Sequence, residues 1–172
     1  VSGFSEDNKG HVIIIELKQW TSAQLTEKDG IVTTTLGGGI RETSHPSYQA
    51  WTYAEVLEDF SETVREEEIS LQPCAYLHND DLDDVIIHPF YKEHLEKAPV
   101  FLKKDAIKLQ EFIAKYVKRG DQGELMYRID HGRIRPSKQL SDALVNMIKG
   151  NREFHLIDEQ KLVYETALQL TD

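Results

Sequence analysis

The chain has 172 residues, 40% of them apolar and 29% charged, which is enough for one large or two small domains with a real core and too apolar for a disordered chain. Thirty acidic residues against twenty basic ones give a formal charge of -10, which argues against a domain whose main task is a non-specific grip on phosphate backbones. The lone Cys74 excludes a disulfide framework or a four-thiolate zinc site within one chain and points to the cytosol, and the longest apolar run, Val12 to Ile15, is far short of a membrane span.

The chain opens without Met in a strand-like stub, residues 1–4, and reads as a piece of something longer; a polar turn, SEDNKG, follows. Residues 11–18 make the clearest strand. Val12, Ile13, Ile14 and Ile15 are consecutive and β-branched, so both faces are apolar and the strand is central. A further strand of the same central sheet is expected at 31–36, then Gly37, Gly38 and Gly39, read as a flexible connection. Pro46 suits a first helical turn with Ser44 or His45 as cap, and the helix is expected to run to about residue 68. Its inward stripe would be Tyr53, Leu57, Phe60 and Val64. Residues 69–77 alternate as a strand, pushed toward an edge or a bulge by Pro73. After an acidic turn, 79–84, helices are expected at 89–97, 104–119, 137–149 and 158–170, the second burying Ile107, Leu109, Phe112, Ile113, Tyr116 and Val117. The order gives an α/β (α+β) core over residues 1–87 and a helical extension over 88–172.

Charge is uneven. Residues 103–138 hold ten basic side chains against five acidic ones, a local +5 that would suit nucleic acid, an acidic surface of the same protein, or plain solvated helix.

The chemistry-bearing pattern is Glu16-Leu17-Lys18. Residues two apart in a strand point the same way, so Glu16 and Lys18 project together from a buried sheet. Two charges there must pair, bind a metal or line a cleft. A carboxylate beside an ammonium suits metal-assisted phosphodiester hydrolysis: Glu16 holds the cation, Lys18 orients water and offsets phosphate charge. Gln49 and Tyr53, four apart, share one face of the following helix, and a glutamine at the head of a core-facing stripe needs partners. A capping or surface glutamine is the plain alternative.

E-L-K followed by H-P-S-Y-Q-A-W-T-Y, residues 45–53, resembles the PD-(D/E)XK nuclease superfamily, in its branches with a Q-x-x-x-Y helix motif. More closely, G-G-G-I-R-E-T-S-H-P-S-Y-Q-A-W-T-Y, P-C-A-Y-L-H and Y-R-I-D-H-G-R-I-R-P-S-K-Q-L resemble a family of largely uncharacterised bacterial proteins. In that family a nuclease-like N-terminal domain precedes a Schlafen-type DNA/RNA helicase domain with a P-loop. The resemblance implies a restriction-endonuclease-like mixed sheet flanked by helices, Mg²⁺ or Mn²⁺ at Glu16, catalytic roles for Glu16, Lys18, Gln49 and Tyr53, and DNA or RNA and a downstream helicase domain as partners. It also implies a metal-binding Asp on the strand before E-x-K, upstream of Val1; Glu6 and Asp7, the nearest acids, sit in the polar turn. No G-x-x-x-x-G-K-[ST] occurs, so no ATP site is expected.

Arg41, His45, Arg133, Arg135 and Lys138 are further candidate nucleic-acid contacts; a surface ion pair is the alternative for Arg41. The seven histidines show no paired metal spacing, and Trp20 and Trp51 read as core or sheet-edge aromatics. Two functions follow: a Mg²⁺-dependent nuclease domain, or an inactive nuclease-like module that binds nucleic acid or regulates the attached helicase. No membrane contact is expected.

Overall fold

The computed structural model describes residues 1–79, 83–135 and 158–169. Among these the strands are β1 (Ser2–Phe4), β2 (Gly10–Lys18), β3 (Ala23–Leu25), β4 (Ile31–Leu36), β5 (Gly39–Ser44), β6 (Ser70–Leu77), β7 (Val100–Leu102) and β8 (Arg119–Gly120). The helices are α1 (Pro46–Phe60), α2 (Glu62–Glu66), α3 (Asp83–Ile86), α4 (Lys92–Lys97), α5 (Ala106–Tyr116), α6 (Glu124–His131) and α7 (Asp158–Gln169). A mixed five-stranded sheet runs in the order β7-β6-β2-β1-β8, and β3, β4 and β5 form a separate antiparallel meander. The fold is mixed α/β, with helices flanking the five-stranded sheet.

The apolar run of β2 explains the layering. Val12 and Ile14 pack with Val64, Ile69, Leu125 and Ile129, while Ile13 and Ile15 pack with Cys74, Phe101, Leu109 and Phe112. One strand thus supplies both cores, which is why its alternate positions are equally apolar. β1 pairs with β2 antiparallel, Ser2 opposite Val12; β6 pairs with it parallel, Glu16 opposite Ala75 and Lys18 opposite Leu77. The crossover from β2 to β6 carries the meander and α1.

Several elements differ from expectation. Residues 31–36 are a strand, but in the meander and not in the central sheet, because Gly37 and Gly38 turn the chain back on itself. Both have positive φ, +60° and +82°, as a two-residue hairpin of the primed type requires, so these glycines close β4 onto β5. Pro73 does not place β6 at an edge, since β6 lies between β2 and β7. The Ala75 amide donates toward β7, to the Pro99 carbonyl at 3.0 Å. Pro73, two residues earlier, turns its donorless nitrogen to the same side, before β7 begins to pair.

The helix after Pro46 stops at Phe60. Ser61 is extended, φ -83° and ψ 114°, and its side chain caps α2 by accepting the Val64 amide. The chain at 133–135 takes up the freed groups: Glu62 donates to the Arg133 carbonyl and Arg135 to that of Phe60, both at 3.0 Å. Within α1, Tyr48, Ala50, Thr52 and Ala54 are buried, whereas Tyr53 and Phe60 are 36% and 39% exposed. Val64 is buried as expected, on α2. On α5, Leu109 is buried but Ile107 is 70% exposed. The chain after residue 87 is not purely helical, because β7 and β8 complete the main sheet and 89–91 is a 3₁₀ turn. The helix expected at 137–149 lies outside the described residues.

Candidate functional site

The site forms where the end of β2 meets the first turns of α1. Period-two alternation sends Glu16 and Lys18 from the same face as Val12 and Ile14, the face that α1 crosses. Their side chains keep 18% and 14% of their surface exposed, and Lys18 Nζ lies 2.8 Å from Glu16 Oε1. From α1, Gln49 Oε1 accepts from Lys18 Nζ at 2.6 Å, while Gln49 Nε2 donates to the Tyr53 hydroxyl at 2.7 Å. The four residues read from the sequence therefore form one chain of contacts, Glu16 to Lys18 to Gln49 to Tyr53. Direction matters in it. With its nitrogen committed to Tyr53, the carboxamide presents only its oxygen to the ammonium.

Trp20, a core aromatic as its sequence reading as core or sheet-edge allows, also borders this site. Lys18 Nζ lies 5.1 Å from the centre of its ring, and Trp20 is buried in the cluster formed with Ala23, Val32 and Leu77. Its spacing of two from Lys18 is the signal that marks it.

The other candidates separate from the cluster. His45 is wholly buried: Nδ1 accepts the Ser47 amide at 3.2 Å as the cap of α1, and Nε2–H donates to the Ile86 carbonyl at 2.9 Å. Burial pushes its pKa down to about 4, so the ring is neutral at pH 7, and no face of it remains for nucleic acid. Arg41 is exposed on β5, opposite Thr34. Arg135 is ion-paired to Glu62 and Glu66, and Arg133 is exposed beside it. Lys138 lies outside the described residues. The basic stretch is partly matched by local acids, with Lys108 on Asp105 and Arg128 on Glu67.

Among the described residues no group of three or more His, Cys, Asp or Glu side chains gathers as metal ligands. Glu16 offers a single carboxylate. Mg²⁺ takes one or two carboxylates and completes its shell with water and phosphate oxygens, so Glu16 suits one ligand position and not a whole site. No described helix is long and apolar enough to cross a membrane. No family model, curated protein or solved structure matches the chain.

Proposed function

We propose that the chain is a nuclease-type domain with a restriction-endonuclease-like core, which hydrolyses DNA or RNA phosphodiesters with Mg²⁺ or Mn²⁺ as part of a protein that also carries a helicase domain. The observation that carries this reading is the placement of Lys18 Nζ, 2.8 Å from Glu16 and 2.6 Å from Gln49, at the carboxyl end of the central strand. An antiparallel strand pair, a helical crossover and a parallel strand beside the E-x-K strand also accord with it.

Lys18 has three N–H donors. Glu16 and Gln49 take two of them, and the third is the one that meets a phosphate oxygen or the attacking water. Gln49 fixes the direction of that donor, and Tyr53 fixes Gln49. Glu16 would be a ligand of the divalent cation, whose chemistry when bound is to lower the pKa of water and offset phosphate charge. The register of β1 gives the further acid an address. In a chain that continues β1 upstream, the third residue before Val1 falls opposite Glu16 and the first opposite Ile14, both on the Lys18 face.

The full-length protein should cleave end-labelled DNA or RNA with Mg²⁺ or Mn²⁺. Lys18→Ala and Glu16→Ala should each lower the rate by about 100-fold or more. Cleavage by the double alanine variant at the wild-type rate would refute the assignment. A second reading, an inactive module that binds nucleic acid or regulates the helicase, is favoured by the Lys18–Glu16 ion pair, which neutralises the Glu16 carboxylate. Salt-dependent binding without cleavage distinguishes it.

A further inference from the structure

The loop between β3 and β4 ties two distant helices, α4 and α7, to the start of α1. Asp29 Oδ1 accepts from His94 Nε2 of α4 at 2.9 Å, and Oδ2 accepts from Lys161 Nζ of α7 at 2.8 Å. These partners, the His94 hydrogen bond foremost, hold the Asp29 carboxyl far below the usual carboxylate range. The next residue, Gly30, accepts the backbone N–H of His45, the cap of α1, at 2.7 Å. A Cβ at Gly30 would come within 3.2 Å of His94, 3.4 Å of Tyr48 and 3.5 Å of Lys161, so the three side chains close tightly over the loop. Lys161 Nζ lies 5.3 Å from the centre of the Tyr48 ring, and His94 meets that ring edge-on at 5.2 Å. Tyr48 precedes Gln49 in the first turn of α1. Two described side chains of α7 join it to the meander: Lys161, 8% exposed, reaches Asp29, and the Thr166 hydroxyl accepts from Lys28, which also holds Glu42 of β5.

We propose that Lys161 is a positioning residue for the candidate site: through Asp29 and Tyr48 it fixes the first turn of α1, and with it the Gln49 carboxamide that holds Lys18. The inference rests on Lys18 being the working group of a nuclease site, but its first readout requires no activity.

Lys161→Met keeps an apolar stem against Tyr48 and loses the bond to Asp29, while Lys161→Arg restores the ion pair. In Lys161→Met the backbone amides of residues 49–51 should exchange with deuterium on the order of tenfold faster, as loss of one charge-assisted hydrogen bond implies. The side-chain amide resonances of Gln49 should move. Amides of α6 should keep their protection, and Lys161→Arg should return both signals toward the wild type. Unchanged Gln49 signals and amides in Lys161→Met would overturn the proposal, as would an equal acceleration in α6, which marks general loosening. In the full-length protein with Mg²⁺, Lys161→Met should lower kcat with KM unchanged. If the wild type does not cleave at all, the nuclease reading fails while the exchange result still decides whether Lys161 positions Gln49.

Discussion

The Lys18 ammonium sits 2.6 Å from the side-chain oxygen of Gln49, thirty-one residues further along the chain. Strand alternation sets one partner and helix phase the other. Tyr53, one helical turn beyond Gln49, orients the amide between them.

That orientation can be removed without removing the amide. Tyr53→Phe deletes the oxygen that receives Gln49 Nε2, so the carboxamide loses its preference for presenting oxygen to Lys18. Because the pair is solvent-exposed, the stability change should stay below about 1 kcal/mol in urea unfolding. The side-chain amide resonances of Gln49 should nonetheless shift and broaden in a ¹⁵N correlation spectrum.

Lys18→Met should behave differently. It leaves the Glu16 carboxylate without its cation and the Gln49 oxygen without its donor, both partly buried, and should cost about 1–3 kcal/mol. Adding Glu16→Gln should recover part of that loss. Chemical denaturation of the two single variants and the double variant closes the cycle, and a nonzero coupling energy measures the pair.

The site was largely legible in the sequence and the surrounding fold less so. Local periodicity puts Glu16 with Lys18 on one strand face and Gln49 with Tyr53 on one helix face; joining the two pairs into one site is what the nuclease resemblance implies. Periodicity does not say which sheet a strand joins, and so it leaves residues 31–36 in the central sheet; the paired positive φ angles of Gly37 and Gly38 and the pairing of β4 with β5 show the turn back. The α1 stripe failed for a related reason. Apolarity marks Tyr53 and Phe60 as inward, yet both are more than a third exposed while Ala50 and Ala54 are buried. His45 is marked in the sequence by its place beside the helix, and its burial as a neutral cap depends on Ile86, far along the chain.

His45 makes stability depend on pH in a defined window. Its folded pKa of about 4 lies below its ordinary 6.5, so the unfolded chain binds the proton first. Its contribution is complete above pH 6.5 and is lost as pH falls from there toward 4, amounting to about 3 kcal/mol at most. His45→Asn, which can still cap α1, should flatten the difference between urea unfolding curves at pH 7 and pH 4.5.

Cys74 is wholly buried, and burial pushes its thiol up to about 12. The native protein should resist iodoacetamide at pH 8, where the reactive thiolate is scarce and inaccessible. In urea the same thiol should alkylate readily. Mass spectrometry of the labelled chain reads both outcomes, and the native labelling rate should rise in any variant that lowers the global stability.

The parallel pairing of β2 with β6 has a kinetic consequence. The β4–β5 hairpin joins neighbours in the sequence and can close within microseconds of their release, but His11 and Ser70 must find each other across the whole meander and α1. The strand that carries Glu16 and Lys18 therefore stays open on one side until the intervening segments have folded. During synthesis its four consecutive β-branched residues are bare edge until β6 has left the ribosome, and this is the interval in which the chain is most open to mispairing with another copy.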